Sequence, residues 1–299
     1  MSEGARFLRD GKVIEGADGW LFLAHDSNDV LAQHTGRLLF SARELEEWRY
    51  LLETRRAWLA ERGIAYAFLI PPNSLTVHAD LLPGHALSDL RPVTQLLDLV
   101  DSVPIVYPLA ELRAEPGAYF RLDTHWSALG AFVAYEQLMR ALGRPALDRS
   151  EVRFFEQPYS GDLGAKLTPP REAPRMFAAP RAQTARLLHD NRVEDFGRRV
   201  EVESEGPAVR CLVCGDSYTY PMLPFMAESF GRLLFVQLST MDFELVRKWR
   251  PDVVVNVLNE RFLIEIPNDL FGYTAESLAA HKVAEGRCDM PSLAGLFGR

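Results

Sequence analysis

The sequence predicts an α/β fold: a three-layer α/β/α sandwich around a mostly parallel central sheet. Three observations carry this. Compact apolar runs at residues 64–70, 208–214, 233–238 and 252–258 have the length of buried strands. Segments with helical periodicity and recognisable caps fall between them. Strands that are apolar on both faces need covering layers on both sides, which is how parallel sheets occur.

The elements follow in order. Residues 18–24 (DGWLFLA) read as a short strand after a turn. Residues 41–62 read as a helix, with Ser41 and Glu44 forming an S-x-x-E capping box and Gly63 supplying the stop. The run IAYAFLI at 64–70 ends at Pro71-Pro72, a buried strand feeding a loop. Residues 92–100 read as helix and 103–107 as strand. A second clear helix spans 127–142, capped by Ser127 and stopped at Gly143. Strands follow at 208–214, 233–238 and 252–258, with a helix at 243–249 between the last two. Between 144 and 205 the rhythm breaks. Seven arginines fall between Arg171 and Arg199, and four prolines between Pro169 and Pro180. This segment is read as an irregular Arg/Pro-rich insertion in one domain covering 1–299. A lid or an anion-binding surface is its functional alternative.

Composition narrows the function. With 33 Lys+Arg against 41 Asp+Glu the formal charge is −8, which repels phosphate backbones and argues against a nucleic-acid partner. No apolar run reaches transmembrane length, and no stretch near the start has signal-peptide character. The expected location is therefore cytoplasmic as the chain stands, or periplasmic if a leader has been removed. Cys211 and Cys214 read as C-x-x-C, but they lie in an apolar strand where positions three apart face opposite sides, so neither a zinc site nor a redox pair is expected. No glycine-rich phosphate loop and no metal-ligand spacing is present. No tightly bound cofactor is expected.

Two segments carry chemistry. In Leu122-Asp123-Thr124-His125-Trp126-Ser127, just before the capped helix, a carboxylate two residues from an imidazole can hold one ring nitrogen and leave the other as a base. In Cys214-Gly215-Asp216-Ser217-Tyr218, a serine follows an apolar strand and precedes a helix expected to run to Met226, interrupted by Pro221 and Pro224. Such a serine stands above the carboxyl end of the sheet. Backbone N–H groups around Gly215 to Tyr218 would face a developing oxyanion, and Gly215 would permit a tight turn. Alternatively, Asp216 or Ser217 merely caps the helix. Together the segments offer nucleophile, base and orienting acid in the order Asp, His, Ser; a triad is defined by geometry, so this order is permissible.

These segments resemble the SGNH-hydrolase-like acetyltransferase family of AlgX and AlgJ, which O-acetylate alginate, and the related DHHW proteins. Gly16-Ala17-Asp18-Gly19-Trp20-Leu21-Phe22 resembles an early G-x-D-G-W-L-F element, and Pro71-Pro72-Asn73 through Leu82-Pro83 a proline-containing loop. Asp123-Thr124-His125-Trp126, followed by Gly130, is similar to a D-T-H-W signature. Gly161-Asp162-Leu163 matches G-D-L, Gly215-Asp216-Ser217-Tyr218 holds the place of the serine motif, and Glu260-Arg261-Phe262 resembles a terminal E-R-F. The resemblance implies an SGNH-type sandwich with the serine motif late in the chain. Ser217 would be the nucleophile, His125 the base and Asp123 the orienting acid, moving acetyl to a sugar hydroxyl through acetyl-serine. A carbohydrate acceptor is implied, with an acetyl-donor or polysaccharide-biosynthesis protein as partner. The short stretch after Phe262 leaves no room for AlgX's carbohydrate module, so alginate itself is not the expected acceptor. His78 stands where the family's loop often carries tyrosine.

Lesser candidates complete the list. Asn73 could add an amide donor to the oxyanion site, or be a turn asparagine. Asp162 and Tyr159 could touch an acceptor sugar, and Trp126 could stack on a sugar ring or simply pack. His25, His34, His78, His85, His189 and His281 are read as structural or surface residues. Two other readings remain: an acetyl esterase with the same triad, and a non-catalytic glycan-binding or assembly protein.

Overall fold

The computed structural model describes residues 6–8 and 11–297; part of the N-terminal stretch read for a leader lies outside them. Seven strands form the central sheet: β4 (Ala65–Leu69), β5 (Ile105–Val106), β8 (Arg186–Asp190), β9 (Arg199–Glu203), β10 (Arg210–Gly215), β11 (Arg232–Gln237) and β12 (Val253–Val257). Their order is β5-β4-β12-β10-β11-β9-β8, parallel from β5 to β11, with β9 antiparallel to β11 and to β8.

Alternation along the strands builds two cores, one on each face. Ala67, Leu69, Cys211, Val213, Val253, Val255 and Phe235 join one core with the helices Ala128–Ala141 and Leu223–Ser229. Tyr66, Phe68, Leu212, Cys214, Val254 and Leu234 join the other with the helices Ala42–Ala60, Pro92–Leu99 and Phe243–Trp249. This is the three-layer sandwich, each fully buried aliphatic side chain contributing roughly 1.5–3 kcal/mol before entropic costs. Cys211 and Cys214 sit in opposite cores, as strand geometry requires, and both are free thiols.

The caps act as the sequence suggests. Ser41 and Glu44 form the full capping box, and the Ser127 hydroxyl accepts from the N–H groups of Leu129 and Gly130. Gly63 and Gly143 follow their helices at φ +67° and +64°, a region where glycine has no Cβ penalty. Beyond Ser217 the chain first makes a 3₁₀ helix, Ser217–Met222, and only then an α-helix, Leu223–Ser229. Pro224 lies in that helix's first turn, where its missing N–H costs nothing.

The segment 144–205 is not irregular, contrary to expectation. It contains an antiparallel hairpin, β6 (Val152–Tyr159) with β7 (Ala173–Pro180), and then β8 and β9, which extend the central sheet. Prolines in the hairpin are tolerated because the pair stands as its own two-stranded sheet with free edges. The first residues form a further antiparallel sheet of β1 (Arg6–Leu8), β2 (Val13–Glu15) and β3 (Leu21–Leu23), with β3 falling inside the expected 18–24 strand. Among the described residues, no helix is long and apolar enough to cross a membrane.

Candidate active site

Strands β4, β12 and β10 are adjacent and parallel, so the chain leaves all three at one rim of the sheet. β4 delivers Pro71-Pro72-Asn73, β12 delivers Asn259-Glu260, and β10 delivers Asp216-Ser217. The loop before the helix Ala128–Ala141 brings Asp123 to Trp126 to the same rim.

Here the two chemical segments meet. Ser217 Oγ lies 2.8 Å from His125 Nε2, and His125 Nδ1 lies 2.7 Å from Asp123 Oδ1. An ionised carboxylate only accepts, so Nδ1 carries the proton and Nε2 is left to accept from the serine hydroxyl. The His125 backbone N–H donates to the same Asp123 oxygen at 2.8 Å, which fixes the carboxylate against the ring. Burial alone would raise the Asp123 carboxyl. The hydrogen bond and charge of His125, with Arg175 nearby, outweigh it and hold the group below the usual carboxylate range.

Two cross-links bolt the loops together. Trp126 Nε1 donates to Tyr218 O at 2.9 Å, and the Tyr218 hydroxyl donates to Thr124 O. Both rings are fully buried and meet edge to face at 5.3 Å. Trp126 and Tyr218 are therefore struts, and neither ring is free to meet a sugar.

Asp216 also acts on the backbone. Its carboxylate accepts from Tyr218 N–H at 2.9 Å and Asn259 N–H at 2.6 Å, tying β10 to β12. Burial pushes this carboxyl up, and those two N–H bonds oppose the rise. The Asp216 N–H is taken by Val257 O and the Tyr218 N–H by Asp216, whereas the Ser217 N–H finds no acceptor among the described residues. Gly215 ends β10, and a Cβ there would lie 2.4 Å from Thr219 Oγ1 and 2.9 Å from Val257 Cβ. The absence of a side chain lets β10 pack closely against Thr219 and Val257.

Asn73 is buried at the start of a short helix. Its N–H donates to Glu260 Oε1 at 2.8 Å, and its side chain caps nothing. Asn259 Nδ2 holds Pro71 O at 2.9 Å, so the Asn73 loop is linked through Asn259 to Asp216 beside Ser217. Sequence reading missed Asn259 and the part played by Glu260. Glu260 also accepts from Thr76 and Tyr107 hydroxyls, which makes it the anchor of that loop.

Asp162 is half-buried and turned toward the D-T-H-W loop. Its oxygens accept from Thr124 N–H at 2.7 Å and Thr124 Oγ1 at 2.6 Å, so the G-D-L turn clamps the D-T-H-W segment. Burial and the neighbouring Asp123 charge raise its carboxyl. Asp123, His125 and Asp162 have ligand-type atoms within 4.8 Å of one another. Hydrogen bonds to His125 and Thr124 account for these atoms, and the cluster reads as an orienting network. Tyr159 stays 40% exposed on the hairpin. His78 packs on Trp20 at 4.1 Å, and burial lowers its pKa.

Residues 13–231, which include both loops, match the family described as SGNH hydrolase-like domain, acetyltransferase AlgX. The chain belongs to this family. The probable alginate O-acetylase AlgJ of Pseudomonas putida is 24% identical to it over 304 aligned positions, covering 90% of this chain and 74% of that protein. Solved structures share the fold. Bacillus cereus PatB1, determined with a sulfonyl adduct, superposes with a TM-score of 0.64 at 15% identity, over 90% of this chain and 99% of its own. A DHHW family protein from Eubacterium siraeum gives 0.64 at 15%, over 93% and 98%. The O-acetyltransferase domain of P. putida AlgJ gives 0.54 at 18%, over 91% and 99%. The AlgX-family assignment and the α/β sandwich thus agree with the sequence reading.

Proposed function

We propose that this AlgX-family protein is a serine-dependent O-acetyltransferase that moves an acetyl group onto a carbohydrate hydroxyl. The observation that carries this reading is the unbroken hydrogen-bonded chain from Ser217 Oγ through His125 to Asp123, at 2.8 and 2.7 Å. Family membership and the O-acetylase name of the P. putida relative support the acetyl group and the carbohydrate acceptor.

In the first half-reaction Ser217 Oγ attacks the acetyl carbonyl while His125 Nε2 takes its proton. The Ser217 N–H, which has no acceptor among the described residues, and the side-chain amide of Asn73, whose backbone N–H goes to Glu260, are the donors we assign to the oxyanion. Collapse expels the donor's leaving group, which receives the proton from His125, and leaves acetyl-Ser217. A sugar hydroxyl then attacks the ester carbonyl and gives its proton to His125. The serine oxygen leaves, recovers that proton, and the acetylated sugar departs. Asp123 stays ionised throughout and stabilises the imidazolium.

The test pairs the wild type with Ser217→Ala on a chromogenic acetyl ester, with and without oligosaccharide. Wild type is expected to place acetyl on the sugar with little free acetate. Ser217→Ala is expected to lose on the order of 10⁴-fold or more in kcat/KM while keeping its fold. Full turnover by Ser217→Ala would refute the triad. Free acetate as the sole product would reassign the protein as an esterase.

A further inference from the structure

Arg175, in the Arg/Pro-rich segment, reaches the back of the site. It lies on β7, and its side chain is only 11% exposed. The guanidinium stands over three rings, Tyr159 at 4.6 Å, Phe177 at 5.6 Å and Phe120 at 5.9 Å. Such a cage fixes a planar cation before any partner is added. From it, Nη2 donates to Trp126 O at 3.2 Å, and Nη1 approaches Asp123 Oδ2 at 3.4 Å. The Asp162 N–H donates to that same oxygen at 3.3 Å. The two oxygens of Asp123 are thus divided: Oδ1 serves His125, and Oδ2 is held from the opposite side by the G-D-L turn and the hairpin.

We propose that Arg175 is a positioning residue for the Asp123–His125 pair: held by its aromatic cage, it pins the outer oxygen of Asp123 and the carbonyl of Trp126, and so fixes which carboxylate oxygen faces the imidazole. The inference rests on the triad reading above. It gives the hairpin a task in catalysis, since β7 supplies a charge that the D-T-H-W loop cannot supply itself.

A charge at this place has a consequence beyond holding the loop. Protonating His125 puts a second positive charge near Arg175, so the guanidinium opposes imidazolium formation. The other groups facing the pair are Asp162 from the G-D-L turn, Asp216 and Tyr218 from the serine loop, and Arg261 behind the Tyr218 ring at 5.9 Å. These remain when Arg175 is replaced. The pH dependence of turnover therefore reads whether the guanidinium charge reaches the pair.

The experiment measures kcat and KM for a chromogenic acetyl ester across pH, in wild type, Arg175→Gln, Arg175→Lys and Ser217→Ala. Arg175→Gln is expected to lower kcat about tenfold or more with KM little changed. The acid limb of its kcat/KM profile should move up by roughly half a unit or more, the size of one partly solvated charge. Arg175→Lys keeps the charge but loses the fork, so its limb should stay in place with kcat only partly recovered. A purely structural role would lower the folded fraction without moving the limb, and that outcome overturns the proposal. So does wild-type kcat in Arg175→Gln while Ser217→Ala is inert. Turnover by Ser217→Ala would instead remove the triad reading itself. Should Arg175→Gln not fold, Arg175→Lys decides: reduced kcat per active site at an unchanged folded fraction supports the assignment, and either wild-type kcat or a loss that only tracks a lower folded fraction overturns it.

Discussion

Replacing Tyr218 by Phe separates a strut from a substrate contact. The hydroxyl it removes is buried, donates to Thr124 O, and links the serine loop to the histidine loop 94 positions away in sequence. Burial pushes Tyr218 far above the usual tyrosine range, so the hydroxyl remains a donor at every working pH. Deleting it leaves a carbonyl of the buried Thr124 without that donor. The expected cost is about 1–2 kcal/mol, a lost hydrogen bond with the desolvation of its acceptor unrecovered. In a chain of this size that lowers Tm by a few degrees. Because the loop it releases carries His125, kcat should fall by about tenfold, while KM stays unchanged for a ring that no ligand can reach. Thermal unfolding and steady-state kinetics on an acetyl ester read both effects. Unchanged stability with a raised KM would refute the strut and make the Tyr218 hydroxyl a substrate contact.

Other consequences follow from the same geometry. Gly161 sits at φ +67°, and a Cβ there would lie 2.1 Å from Leu122 O, so Gly161→Ala should cost more than about 2 kcal/mol in urea unfolding and displace the D-T-H-W loop enough to lose activity. Burial pushes the Cys214 thiol up to about 12 and Cys211 higher still, so a thiol reagent near neutral pH should label the native protein once, at Cys288, and labelling at either strand cysteine would contradict the two-core sheet. Asp123→Asn should lower kcat roughly 10⁴-fold, because a neutral amide cannot stabilise the imidazolium and its NH2 can face Nδ1 and hold the wrong tautomer. Because the folded Asp123 carboxyl lies below its unfolded value, its stabilising contribution is present above the unfolded pKa and disappears only as pH falls through the folded one. The stability gap between wild type and Asp123→Asn should therefore persist at neutral pH and close in strong acid.

What could be read from the sequence follows from how local each signal is. Capping residues, stop glycines and apolar strands act within a few positions, so the helices at Ser41 and Ser127 and the strands β4, β10, β11 and β12 were legible. Asp123 and His125 are two residues apart, and their pairing was legible for the same reason. Ser217 could be joined to them only through the assumption of a common rim and the family resemblance. The misreadings have long-range causes. For Trp126 the sequence leaves stacking and packing open, and for Tyr218 it offers a backbone N–H to the oxyanion; packing is decided for Trp126 by a contact across 92 positions, and the Tyr218 N–H is taken by Asp216. Asp162 looked available until Thr124 was seen to occupy both its oxygens. The Arg/Pro-rich composition hid β6 to β9, although Arg199-Val200-Glu201-Val202-Glu203 alternates in the manner of a half-buried strand and could have been found. Arg175 had no local signal beyond its charge.

Acylation of Ser217, with His125 as its base, is the decisive chemical step. Intact-mass measurement after brief exposure to an activated acetyl ester, followed by peptide mapping, tests this most directly. The expected result is one added acetyl group, mapped to Ser217 and absent in Ser217→Ala and His125→Ala. Turnover of the ester with no adduct on Ser217, or an adduct that persists in Ser217→Ala, would contradict it.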